Sequence, residues 1–391
     1  MEKYKIGLVP GPVRVPKDIL KAWENDFASS DLEDEFFELY GENQKLIQKI
    51  LHTKNDVLIT SGEAMSILWA SLKCTLKPGE KILAVSSGLF GEGFAEMAKT
   101  FGAEAEVCAF DYDSVPEPEK VYESVKKFNP KVITAVHCET PSGTITPCLA
   151  ELGKIAREAG ALFVVDFVSS AGGVPIDVDE AEIDIGLWGS QKVLSLTPSL
   201  SISTISKRAW NVIENVNYSG YEAFKDWREV TKKKLMPYTH DWHAMKALNI
   251  SLSKILDEGL ENVFERHENS AKLCRDMGRE IGLKLFPKDE KFSSPTVTAF
   301  YVPEKFTWKE FDSSLRENGL AVGGNYGKLA GKIFRIGHMG SQADNKLVEQ
   351  GMNIIKAVIN GKNIKKIYKL TGADGKIYES ETPGQYGGHK K

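Results

Sequence analysis

The sequence predicts an α/β protein with a mainly parallel, doubly wound sheet and a smaller α+β unit after it. Three observations carry that expectation. Short apolar runs alternate with helical patterns between Val57 and Ile205; most of these runs are continuous, as in strands buried on both faces; and after Asn211 longer helical patterns and alternating strands replace that rhythm.

The opening Gly7-Leu8-Val9-Pro10-Gly11-Pro12-Val13 is too rich in Pro and Gly for a helix or central strand and reads as an extended arm. Residues 31–52 place Phe36, Leu39, Leu46, Ile47 and Ile50 near helical spacing with acids in the first turn, so an amphipathic helix follows. Seven strand candidates come next, at Val57–Thr60, Ile82–Val85, Ala105–Phe110, Val132–Val136, Leu162–Val165, Ile183–Trp188 and Leu200–Ile205. Helical patterns at Ala64–Leu76, Glu92–Phe101 and Leu149–Glu158 lie between several of them. Met245–Glu265 reads as one long helix broken near Gly259, and strands are expected at Thr296–Val302 and Ile333–Ile336 around a Gly-rich loop. In the tail, two strand candidates flank Asp374-Gly375, a hairpin-turn pair. The expected division is an arm at 1–15, a large unit at 16–258, a small unit at 259–360 and a tail at 361–391.

Composition narrows the partners. A formal net charge of −4 gives no reason to expect nucleic acid or an anionic membrane surface. No apolar run reaches the roughly 18 residues that span a bilayer, and Met1–Val13 lacks a signal-peptide core, so a cytoplasmic protein with small-molecule partners is expected. Five cysteines stand without a CxxC, which indicates neither a disulfide framework nor a structural metal site.

The chemistry concentrates between Ala161 and Val193. One apolar run ends in Asp166; the next leads into Gly189-Ser190-Gln191-Lys192. An acid and an amine at neighbouring strand ends suit pyridoxal 5'-phosphate, whose aldehyde needs an amine and whose pyridine nitrogen needs a carboxylate. Ser61-Gly62-Glu63-Ala64, between a strand and a helix, offers backbone N–H groups and the Ser61 hydroxyl for a phosphate. Phe90, between two glycines after the next strand, could lie flat on a pyridine ring, and Thr140 could donate to the cofactor. His137 and Cys138 are adjacent in a strand pattern and therefore point to opposite faces, which argues against a thiol–imidazole pair.

In order along the chain, the Gly-Pro arm, Ser-Gly-Glu-Ala at 61–64, Gly-Leu-Phe-Gly-Glu-Gly at 88–93, Glu-Thr-Pro-Ser-Gly at 139–143, Val-Asp-Phe-Val-Ser-Ser at 165–170, Gly-Ser-Gln-Lys at 189–192 and Phe-Arg-Ile-Gly-His-Met-Gly at 334–340 make one set. Together they resemble the class V aminotransferases of the aspartate-aminotransferase superfamily, and within them the alanine–glyoxylate and serine–pyruvate group. The resemblance covers roughly residues 5–360. It implies the fold type I architecture, a seven-stranded sheet between helices. It further implies that Lys192 is the Schiff-base lysine, that Asp166 partners the pyridine nitrogen, that Phe90 stacks on the ring where many relatives have Trp, and that Val168 packs on its other face. Gly62, Glu63, Thr140 and Gln191 match cofactor-contacting positions, and Arg335 matches the arginine that grips the substrate carboxylate. Tyr238 and Thr239 resemble the segment that reaches across a homodimer to the neighbouring active site.

The expected activity is transfer of the amino group of alanine or serine to glyoxylate or pyruvate in two half-reactions. Aspartate, phosphoserine or 2-aminoethylphosphonate as donor stays open, each wanting an extra cation that sequence alone does not place at Arg14 or Lys328. A cysteine desulfurase of this fold needs a histidine over the ring, commonly one before the lysine, and a late cysteine. Phe90 and Gln191 stand at the first two positions, and no cysteine follows Cys274.

Overall fold

A computed structural model of the protein describes residues 4–361 and, in the tail, the strands at 368–371 and 377–380. In chain order the strands are β1 (Ile6–Leu8), β2 (Asp56–Ser61), β3 (Lys81–Ser86), β4 (Glu104–Ala109), β5 (Val132–Val136), β6 (Cys138–Glu139), β7 (Thr144–Ile145), β8 (Leu162–Asp166), β9 (Ile185–Gly189), β10 (Leu200–Ile205), β11 (Val297–Tyr301), β12 (Leu320–Val322), β13 (Ile333–Gly337), β14 (Tyr368–Thr371) and β15 (Ile377–Ser380).

The seven expected strands form one seven-stranded sheet in the order β2-β10-β9-β8-β5-β3-β4. Only β10 runs against its neighbours; the pairs β9/β8, β8/β5, β5/β3 and β3/β4 are parallel. Every residue of β5, β8, β9 and β10 is buried, which is why these strands read as unbroken apolar runs. Since β10 opposes both β2 and β9, β2 points the same way as the parallel strands. The ends of β2, β3, β5, β8 and β9 therefore share one edge. Because β4 flanks β3 on one side and β5 on the other, the winding reverses there, and ligands of such sheets bind at the carboxyl ends beside that reversal.

Two apolar cores divide the chain. The larger runs from Ile19 to Val263 around the sheet. The smaller gathers Phe300, Phe311, Phe334, Met352 and Ile355 with Ile6 and Leu8 of the arm. The arm is thus part of the second core: β1 pairs parallel with β12, in register Ile6↔Leu320 to Leu8↔Val322. It then crosses to the large sheet, where the Val13 N–H donates to the Gln191 carbonyl at 3.0 Å.

The long helical pattern resolves into Trp242–Glu258 and Leu260–Glu280, broken at Gly259, whose φ of 86° only glycine adopts readily. The two later strand candidates form as β11 and β13, which pair antiparallel. In the tail β14 and β15 pair antiparallel, while the Asp-Gly turn lies outside the described residues. Among the described residues no helix is long and apolar enough to cross a membrane.

Candidate active site

A cleft of about 310 Å³ opens at the shared strand edge, and Phe90, Thr140, Asp166, Val168, Gln191 and Lys192 all line it together with Glu63. Asp166 ends β8; Lys192 lies three residues beyond β9, in the turn.

Asp166 is 5% exposed, and one of its oxygens accepts the Val168 N–H at 2.8 Å, so the backbone that carries Val168 also fixes the carboxylate. Burial pushes its pKa up to about 6, with the Val168 N–H and the Lys192 charge opposing the rise. Lys192 is half-buried; its Nζ donates to the Pro10 carbonyl at 2.5 Å. Burial first, and the Arg335 charge second, bring its pKa down to about 8. An unprotonated amine is the nucleophile that an aldehyde requires. The rate at which Lys192 captures pyridoxal phosphate is therefore expected to rise about tenfold per pH unit up to about 8 and to level off above it. Stopped-flow absorbance checks this, and a rate still climbing tenfold per unit at pH 10 would contradict it.

Phe90 occupies the second position of the helix Leu89–Thr100. That helix begins three residues earlier than the Glu92 start expected from sequence. Its N-cap, Gly88, supplies no side-chain bond. The cap comes instead from Glu139, whose carboxylate accepts the Phe90 N–H at 3.2 Å and the Gly91 N–H at 2.7 Å. Glu139 is 1% exposed and its pKa rises to about 8, chiefly through burial. Sequence reasoning quoted this acid and gave it no role; its only signal was a helix start with no local cap. Thr140 is hydrogen-bonded to Ser169, a cleft residue also missed. His137 and Cys138 part as expected: His137 Nδ1 meets Ser170 at 2.9 Å and Cys138 donates to Ser294 at 3.1 Å.

The arm contributes Gly11 and Pro12 to the cleft wall, which sequence reasoning did not foresee. Gly11 has a φ of 97°, and a Cβ there would come within 2.5 Å of the Lys192 side chain. Only glycine lets the arm pass this close to the lysine.

Four expected residues lie away from the cleft lining, and Arg335 stands next to it. Ser61 is paired with Leu200 in the sheet. Gly62 does not offer its N–H to a phosphate: that group donates to the Ser199 carbonyl at 2.8 Å, because the chain must close onto the β10 entry before the helix starts. Tyr238 packs against Tyr221 with ring centroids 4.4 Å apart, and Thr239 donates to Asp31 at 2.9 Å. Arg335, 4% exposed on β13, donates through Nε and Nη2 to the Gly324 carbonyl at 2.8 and 2.5 Å. The Tyr326 ring covers its guanidinium at 5.0 Å.

An amine and a buried carboxylate at the switch edge of a doubly wound sheet, with an aromatic ring lining the same cleft, suit a carbonyl-cofactor enzyme acting on amino groups. The family model for class V aminotransferases matches residues 18–342. An uncharacterized aminotransferase of Methanocaldococcus jannaschii is 36% identical over 86% of this chain and 88% of its own. A serine–glyoxylate aminotransferase of Methylorubrum extorquens is 30% identical, covering 85% of each chain. The crystal structure of an alanine–glyoxylate aminotransferase from Nostoc sp. superposes with a TM-score of 0.87 at 28% identity, over 91% of this chain and 95% of that one. The chain belongs to the class V aminotransferases, with the fold type I architecture, and membership implies pyridoxal 5'-phosphate as cofactor. The residues fit that group at its ring end: a depressed amine, a raised carboxylate, the Phe90 ring and Val168 all face one cleft. The Gln191 Oε1 atom is buried there without a partner, which suits a bound polar group.

Proposed function

We propose that the protein moves the amino group of alanine or serine to glyoxylate or pyruvate by a ping-pong mechanism. The observation that carries this reading is charge: among the described residues lining the cleft, Lys192 is the one cation, with Arg335 beside it. One guanidinium serves one α-carboxylate, which leaves the side chain of the donor without an ionic partner and favours a small uncharged one. Lys328 is held 2.8 Å from Glu92, and Arg14 lines a separate groove. Neither is among the residues that line the cleft. The likeness to a serine–glyoxylate aminotransferase supports the same choice.

Bound pyridoxal phosphate supplies an aldehyde and a ring that accepts the electrons left at the substrate Cα. Lys192 would hold the aldehyde and, once freed by the incoming substrate amine, would take the Cα proton as base and deliver it as acid to the former aldehyde carbon. Asp166 keeps a proton on the pyridine nitrogen. Phe90 and Val168 would hold the ring from its two faces, and Arg335 would bind the substrate carboxylate. We further propose a homodimer in which Tyr238 and Thr239 serve the neighbouring cleft; Tyr238 is exposed in its own protomer. The five cysteines, all free and buried, suit the reducing cytoplasm.

A half-reaction screen tests the reading. Alanine or serine is expected to bleach the cofactor's visible band, while aspartate, phosphoserine and 2-aminoethylphosphonate leave it. Faster bleaching by any of those three, or release of sulfide from cysteine, would overturn it.

A further inference from the structure

The cleft wall carries an acid, Glu63, beside a helix start, the kind of place that suits a phosphate. The helix Met65–Thr75 starts there, and a helix start with unfilled N–H groups is an anion seat. In this chain the Glu63 side chain already fills it: its Oε1 accepts the Met65 N–H at 3.0 Å, and its Oε2 accepts from Gln191 Nε2 at 3.4 Å. Gln191 is 7% exposed, and its other amide atom, Oε1, is buried with no partner. Gly189 and Ala64 pack around that oxygen: a Cβ on Gly189 would come 2.6 Å from it and 2.8 Å from Ala64 Cβ.

The seat therefore presents one acceptor oxygen, Glu63 Oε2, on an exposed side chain, while Gln191 Oε1 is enclosed behind it. A phosphate monoester near neutral pH carries about −1.5 to −2 charges and is rich in acceptor oxygens. It repels the carboxylate. Among the described cleft-lining residues Lys192 is the one cation, and the proposed function commits it to the aldehyde. A primary alcohol is neutral and has one O–H donor, which the Glu63 carboxylate accepts.

We propose that Glu63 makes this seat selective for a neutral hydroxymethyl group over a phosphate, so that the cleft takes unphosphorylated pyridoxal or pyridoxamine in preference to the phosphorylated forms. Phosphate binding displaces the Glu63 carboxylate from the Met65 N–H and breaks its bond with Gln191; hydroxymethyl binding leaves both in place. The inference deepens the proposed function, whose ring-end assignments it uses to orient the ligand.

The test compares pyridoxamine with pyridoxamine 5'-phosphate by isothermal titration of the full-length protein. Neither ligand has an aldehyde, so the comparison does not depend on Lys192. Wild type is expected to bind pyridoxamine at least as tightly as its phosphate. Glu63→Gln and Glu63→Ser are each expected to tighten the phosphate by about tenfold or more while moving pyridoxamine by less than about threefold. A wild type that binds the phosphate about tenfold more tightly, or variants that leave the ratio of the two affinities unchanged, overturns the inference. Failure of the Lys192 assignment reads out separately, as a borohydride-trapped pyridoxal adduct that survives Lys192→Ala.

Discussion

Lys192→Ala is expected to lower transamination by about 10⁴-fold or more while leaving the fold intact. The loss is large because the same amine is asked to hold the aldehyde and to carry the Cα proton, and no other amine among the described residues lines the cleft. The fold survives because the only hydrogen bond of Nζ is the one to the Pro10 carbonyl, in an arm that β1 and the Val13–Gln191 bond hold independently. Steady-state rates with alanine and glyoxylate, beside a circular-dichroism melt, check both halves. A variant that keeps more than about a tenth of wild-type turnover would remove Lys192 from the reaction.

Asp166→Asn is expected to lower turnover roughly 10²–10³-fold, the range seen when one preorganised electrostatic partner is removed. Asparagine matches the carboxyl group in size, and its amide oxygen can still accept the Val168 N–H, so the backbone stays in place. What is lost is the negative charge. Burial already raises Asp166 to about 6, so the carboxylate is ionised at neutral pH but costly to keep so without a cation beside it. A protonated ring nitrogen is that cation. Single-turnover rates separate this from cofactor loss: capture by Lys192 is expected to persist while the subsequent bleaching with alanine slows. Near-normal bleaching would show that the charge is not used.

The sheet was legible because burial on both faces writes itself into composition. Leu162 to Asp166 is apolar throughout until the one residue that faces the cofactor cleft, and all seven expected runs became strands of one sheet, the edge strand β4 among them although Cys108 is its one buried residue. Gly259 was legible for a similar reason, since a glycine inside a helical pattern marks a break. What stayed hidden depends on partners far apart in the chain. The helix start at Leu89 is set by Glu139, 49 and 48 residues from the N–H groups that it accepts. The closeness of the arm to the lysine spans 182 residues and rests on the missing side chain of Gly11. The commitment of the Gly62 N–H to Ser199 follows from the antiparallel placement of β10 beside β2, which no local pattern announces. Glu63 was read as one more cofactor contact, because only its hydrogen bond to Met65 reveals that the acid fills the seat.

The central claim is that one lysine, at the end of a buried strand and opposite a buried acid, is the covalent centre. Borohydride reduction of the protein after incubation with pyridoxal 5'-phosphate and, separately, with pyridoxal, followed by peptide mapping by mass spectrometry, tests it most directly. The reduced pyridoxyl group is expected on the peptide that contains Gly189-Ser190-Gln191-Lys192, at Lys192. Recovery of the label on another lysine at equal or greater yield, or no label with either compound, would contradict it.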